Sequence, residues 1–203
     1  FLYGNNIKEL PNALGNLKKL SYINVSNNQL TSLPESFGNL EKLNHVDLSD
    51  NQLSSLPESF GNLENLKKIL INNNQLTSLP ESFGNLKVLK TLIIINNQLS
   101  SLPESFGNLE NLDFLQLNKN NILEIPNSFY KLENLKTFEI KNNQLTYISP
   151  EIVKLQSLYS LSLTGNKIIS LPKEFSKLQS LNSLFLNNNQ LSTLPENFSE
   201  LKT

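Results

Sequence analysis

His45 is the only histidine in the 203 residues, and with Asp47, Asp50 and Tyr22 it makes the one grouping whose side chains could do acid–base or metal chemistry. An imidazole and a carboxylate on one strand face could hold a divalent cation or form a pH-sensitive contact. Groups this few and this exposed are expected to stay solvated, so no metal site is assigned. No other stretch offers catalytic machinery: there is no glycine-rich phosphate loop, no metal-ligand spacing, and no base for a serine nucleophile beyond His45. Cysteine is absent, which removes disulfides, thiolate metal sites and cysteine nucleophiles together. No cofactor is implied, and the chain is expected not to be an enzyme.

Other chemistry-bearing residues recur at a fixed interval. Glu35, Glu58, Glu81 and Glu104 form a row that could attract a cation or a basic partner, but a solvated, solubilising edge is the simpler reading. Asn24-Val-Ser26 and Asn197-Phe-Ser199 match a glycan acceptor pattern, expected by chance in a chain with 33 asparagines. All 17 basic residues are lysine and the net charge is −1. Without a forked guanidinium or a global positive field, nucleic acid is not an expected partner. No apolar run approaches the roughly 20 residues of a membrane span, so membrane insertion is not expected.

The elements that position these groups follow from one interval. Asn5, Asn28, Asn51, Asn74, Asn97, Asn120, Asn143, Asn166 and Asn189 are spaced by 23 without a slip, which is the mark of a stacked repeat. Around each anchor the unit reads Leu17-x-x-Leu20-x-x-Ile23-x-Val25-x-x-Asn28-x-Leu30-x-x-Leu33-Pro34-x-x-Phe37. The alternation at Ile23 and Val25 is that of a half-buried strand, and it recurs from Val46 and Leu48 to Leu184 and Leu186. Eight strands are expected, with Phe1 to Tyr3 as the remnant of a ninth. Connections of about 20 residues are too long for hairpins, so the strands should run parallel.

After each strand, Leu33-Pro34 opens a segment that Gly38 closes, which predicts one or two turns of 3₁₀ or α structure, with proline at the first helical position and glycine at the exit. Ser32 and Glu35 have capping-box spacing, as do Ser55 and Glu58. The proline column shifts once, to Pro150 after Ser149. Burying about seven apolar side chains does not offset ordering 23 residues, so a lone unit should not fold and stability should belong to the array. A buried asparagine must bond backbone groups that would otherwise be unsatisfied, so the anchors read as a structural amide ladder joining successive turns.

With leucine columns, asparagine anchor and Leu-Pro step coinciding in copy after copy, the chain resembles the leucine-rich repeat family in its 23-residue subtype. The near-identical copies and the lysine- and asparagine-rich character look most like bacterial proteins of spirochaete type. The resemblance covers essentially the whole chain. It implies an α/β fold: one array over residues 1–203, of about eight full repeats with partial ones at the ends, forming a right-handed solenoid with a concave parallel sheet inside and short 3₁₀ or α segments outside.

Residues flanking the two core positions of each strand should face away from the core. They make three columns across a face roughly 38 Å long. The first starts at Tyr22, His45 and Lys68 and includes Phe114. The second holds Asn24, Asp47, Leu70, Ile93, Gln116, Glu139, Ser162 and Phe185, and the third runs from Ser26 and Ser49 through Asn72, Ile95 and Asn118 to Lys141, Thr164 and Asn187. Leu70, Ile93, Ile95 and Phe114, on three successive strands, form an exposed apolar cluster with a polar rim, the mark of a contact site. Lys68, Gln116, Tyr22, His45 and Asp47 complete the candidate face, and Phe185 is a lone aromatic near the far end.

The expected function is a protein-binding solenoid that grips a protein ligand on its concave face. By resemblance the setting is a bacterial protein, secreted or at the cell surface, that meets host surface proteins. The alternatives are an intracellular scaffold or regulator, or the substrate-recognition arm of a multidomain enzyme such as a ubiquitin ligase. Phe1 begins inside a strand and Lys202-Thr203 stop before another, so terminal repeats or caps are expected to be missing. A monomer is expected, with open edge strands leaving a route to end-to-end association.

Overall fold

Each 23-residue period forms one rung, and the rungs stack in sequence order. The computed structural model describes residues 1–201, and the expectation placed on Lys202 and Thr203 lies outside them. Eight three-residue strands form one sheet: β1 (Tyr22–Asn24), β2 (His45–Asp47), β3 (Lys68–Leu70), β4 (Thr91–Ile93), β5 (Phe114–Gln116), β6 (Thr137–Glu139), β7 (Ser160–Ser162) and β8 (Ser183–Phe185). Their order is β1 to β8, every pair is parallel, and the register advances by the period, so that Leu70 lies opposite Ile93 and Ile93 opposite Gln116. Phe1 to Tyr3 form no strand, yet Leu2 N–H donates to Asn24 O at 2.8 Å and Gly4 N–H to Ser26 O at 3.0 Å. The ladder therefore continues onto them. The core is a single column of leucine, isoleucine, valine and phenylalanine running the length of the array.

The opposite wall carries nine five-residue 3₁₀ turns among the described residues, from Asn12–Asn16 to Glu196–Glu200. Proline precedes the turn rather than opening it. Pro34 is extended, with φ −70° and ψ 150°, and its carbonyl accepts from Phe37 N–H at 2.9 Å. No serine capping box forms at Ser32 or Ser55, because the cap position belongs to proline. The exception explains the shifted proline: Ser149 takes the cap position, its hydroxyl accepts from Glu151 N–H at 3.2 Å, and Pro150 moves to the first residue of the turn. The duty changes hands while the register stays fixed.

Glycine is likewise not an exit residue. Gly84 lies inside its turn and pressed against the next rung, where an added Cβ would stand 2.3 Å from the Ser105 carbonyl oxygen. The row of small residues lets the turns stack closely. The residue before each anchor asparagine does adopt the left-handed region, with φ between 53° and 57° at Asn27, Asp50, Asn73, Asn96, Lys119, Asn142 and Asn188, and 72° at Gly165. Asparagine and aspartate tolerate that region, whereas Lys119 occupies it at a cost in backbone strain. Replacing Lys119 with glycine is therefore expected to raise stability by about 0.5–1 kcal/mol, read from the urea midpoint. An unchanged or lower midpoint would contradict this account of the bend.

Phe37, Phe60, Phe83, Phe106 and Phe129 stack along the turn side, with ring centres 6.0–6.4 Å apart and planes within 15°. Paired strands lie roughly 4.8 Å apart. Rungs spaced more widely at the turns than at the strands must fan out, which places the sheet on the concave side. After Phe129 the aromatic stack stops, because Ile152 occupies the next position. There Tyr130 replaces the small residue of the turn and is buried, and desolvation pushes its hydroxyl up to about 12. A cleft of about 460 Å³ opens between this rung and the next, lined by Leu123, Tyr130, Tyr147 and Ser149 among others.

Candidate functional site

The anchor asparagines hold the rungs together from inside. Asn97 Oδ1 accepts from Leu76 N–H at 3.0 Å, and its Nδ2 donates to Ile71 O at 2.8 Å and to Ile95 O at 3.3 Å. One amide thus ties its own bend to the rung before it. The same pattern joins Asn28 to Ile7, Asn51 to Leu30, Asn74 to Leu53, Asn120 to Leu99, Asn143 to Ile122, Asn166 to Leu145 and Asn189 to Ile168. The anchors bridge backbone groups and do not bond one another. A direct side-chain ladder lies one residue earlier, where Asn73 Nδ2 donates to Asp50 Oδ1 at 2.7 Å and Asn96 Nδ2 to Asn73 Oδ1 at 2.9 Å.

All four glutamates of the row are exposed, and three of them are also bonded. Glu35, Glu58 and Glu81 each accept, through Oε2, from the backbone N–H of Ser59, Ser82 and Ser105 at 3.2–3.4 Å. Each carboxylate reaches the next rung, where it serves an N–H in the first turn of a 3₁₀ segment. Only the spacing of 24 between Glu and Ser signals this in the sequence.

On the concave face the polar groupings are mostly occupied. Asp47 accepts from Ser49 N–H at 3.0 Å and from Asn24 Nδ2 at 3.3 Å, while His45 Nδ1 pairs with Asn44 Oδ1 at 2.8 Å. His45 instead joins a short aromatic row, its ring 6.3 Å from Tyr22, which lies 5.2 Å from Phe1. Among the described residues no group of three or more His, Asp or Glu side chains gathers. The third column is less available than strand alternation implies. Ser49 and Asn118 are buried, as is Ser162 of the second column, and Asn118 Oδ1 accepts from Lys141 N–H at 2.8 Å. Both glycan-pattern amides are engaged too, Asn24 with Asp47 and Asn197 with Ser176.

What remains is an apolar floor at mid-array. Leu70, Ile93, Ile95 and Phe114 are half-buried rather than fully exposed, since their neighbours in the columns cover part of each. Thr91 lies opposite both Lys68 and Phe114, and Gln116 opposite Ile93, so the candidate residues on β3, β4 and β5 form one continuous patch. Tyr22, His45 and Asp47 lie at the amino-terminal end of the same face. On the carboxyl-terminal side of the floor stand Glu139 and Lys141, an ion pair of 2.9 Å. Burial works to raise the Glu139 carboxyl, but Lys141 and the Asn118 amide outweigh it and hold it below the usual carboxylate range. Phe185, at the far end, is 48% exposed.

Family models described as "Leucine-rich repeat region" and "Leucine rich repeat" match residues 6–99 and residues 115–168 and 156–203, respectively. A leucine-rich repeat protein of Leptospira interrogans superposes with a TM-score of 0.88 at 35% identity, over 99% of this chain and 57% of its own. An internalin of Listeria monocytogenes gives 0.83 at 27% identity, over 97% and 56%. The leucine-rich repeat ectodomain of the Arabidopsis thaliana receptor kinase GASSHO1/SCHENGEN3, in complex with Casparian strip integrity factor 2, gives 0.75 at 29%, over 98% and 28%. No curated protein sequence matches. The chain thus spans just over half the length of the two bacterial structures.

Proposed function

The chain belongs to the leucine-rich repeat family, and from that premise we infer that it is a non-catalytic module that binds a protein ligand on its concave face. The observation that carries this is the apolar floor of Leu70, Ile93, Ile95 and Phe114. These residues leave part of their surface to water at the centre of a sheet where most flanking positions are polar and many are already bonded. Receptors of the same fold solved with their ligands, one of them a peptide hormone receptor, support the class of ligand. The Leptospira and internalin likenesses support a bacterial protein, and the internalin and receptor-ectodomain likenesses support one that is secreted or at the cell surface; we propose that it meets host surface proteins there.

Ile93→Asp and Phe114→Asp are expected to lose about 2 kcal/mol or more of binding, a thirtyfold loss of affinity, because each puts a desolvated carboxylate into the contact. Capture from host-cell and bacterial extracts, with the captured protein then identified and titrated against each variant, measures this. Circular-dichroism melts of both variants should stay close to that of the parent, since neither residue is in the buried column. If both variants keep full affinity for that protein, the floor is not the binding site. Recovery of only cytoplasmic bacterial partners would favour the scaffold reading over the exported one.

A further inference from the structure

One long edge of the apolar floor is basic. Lys67 and Lys90 stand just before β3 and β4 on consecutive rungs, joined through backbone by Lys90 N–H donating to Lys67 O at 2.9 Å. Lys68 shares the inner face of β3 with Leu70. Two like charges at equivalent positions of adjacent rungs repel, and a chain of net charge −1 has carboxylates enough to have paired them. Among the described residues only Lys18, Lys87, Lys141 and Lys154 pair with a glutamate, so these three ammonium groups are free, as most lysines here are; what sets them apart is that they lie side by side along the floor. The basic run covers two rungs: the next position in the row is Asp113, whose N–H donates to Lys90 O, and Lys136 follows it. On the opposite edge the Asn72 and Asn118 side-chain carbonyls accept from backbone N–H groups, and exposed Lys119, just after Asn118, is the one charged residue.

We propose that the occupant of this face is a protein segment that is both acidic and apolar, its carboxylates turned toward Lys67, Lys68 and Lys90 and its apolar side chains seated on Leu70, Ile93 and Phe114. This rests on the concave face being the binding surface and adds the chemistry and direction of the ligand. Charge complementarity along one edge fixes orientation and rejects basic competitors, while the apolar contact supplies the affinity. Lysine here acts as a point charge, which suits carboxylates and does not demand the bidentate geometry that base edges or a phosphate fork would.

The test uses the whole 203-residue chain and fluorescence anisotropy with labelled synthetic peptides, each a threefold repeat of one tetrapeptide. An Asp-Glu-Val-Phe peptide is expected to bind about tenfold or more tighter than a Lys-Lys-Val-Phe or an Asp-Glu-Ser-Ser peptide, and to weaken as salt rises. The triple variant Lys67→Glu, Lys68→Glu, Lys90→Glu should fold with an unchanged dichroism spectrum and reverse the preference between the acidic and basic peptides. Equal binding of those two peptides, no binding of the acidic one, or a preference that survives charge reversal overturns the proposal. So does tighter binding of a single-stranded oligonucleotide. If Ile93→Asp abolishes capture of a protein ligand while charge reversal changes nothing, the concave-face reading stands and the acidic ligand alone is rejected.

Discussion

Gly84→Ala is expected to lower stability by about 3 kcal/mol, an unusually large effect for adding one methyl group. The new Cβ would meet the Ser105 carbonyl oxygen at 2.3 Å, and that oxygen is backbone of the next rung, with no rotamer to yield. Relief requires the two turns to part, which loosens the Phe83–Phe106 stack beside them. Urea denaturation followed by circular dichroism reads the cost. Val153 occupies the equivalent position three rungs on, so Val153→Ala should cost less than about 1 kcal/mol and serves as the reference. A Gly84→Ala midpoint indistinguishable from the parent would mean that the rungs are not in close contact.

Asn97→Ala should be at least as damaging, again by about 3 kcal/mol or more. It strands the Leu76 N–H and removes donors from Ile71 O and Ile95 O, and a buried polar group left without a partner costs about 1–3 kcal/mol. Asn97→Asp separates the two halves of the amide. Its carboxylate can still accept from Leu76 N–H but cannot donate to the carbonyls, so it should not rescue stability at neutral pH. Asn189→Ala, whose amide is only partly buried, should cost markedly less because water can take its place. Amide hydrogen exchange at Leu76 gives a second reading: protection there should fall in Asn97→Ala even where the global midpoint moves little. Equal costs at 97 and 189 would remove the argument from burial.

Most of what a single rung specifies was legible in the sequence, the place of proline before the turn rather than inside it excepted. The asparagine anchor, the paired core positions of each strand and the parallel pairing all recur in every copy, and each follows from a local pattern with a known period. Features that exist only between rungs were not legible. Gly84 looks like a helix exit until the Ser105 carbonyl is set beside it, and nothing within one copy shows that Glu58, exposed as it is, also accepts from Ser82 N–H of the next. The same holds for the site. Strand alternation put Leu70, Ile93, Ile95 and Phe114 on the inner face, but their half-burial depends on neighbours in adjacent columns. Ser49 and Asn118 were assigned to that face and are buried, their side-chain oxygens accepting from the Asn72 and Lys141 N–H groups of the next rung. The basic edge escaped notice because Lys67 and Lys90 stand just outside the strands and belong to no alternating pattern.

Masons curve a wall by cutting each block thicker at its outer end, and one oversized block puts a sharper turn at a single joint. Tyr130 is such a block. By filling the place that glycine keeps thin in five earlier rungs, it holds the outer ends of its rung and the next apart while β6 and β7 stay hydrogen-bonded at the inner edge. A block thick at the outer wall alone should turn the vault more tightly past β6 than before it, and a stiff guest long enough to cross that joint should then have to bend with it or stop short.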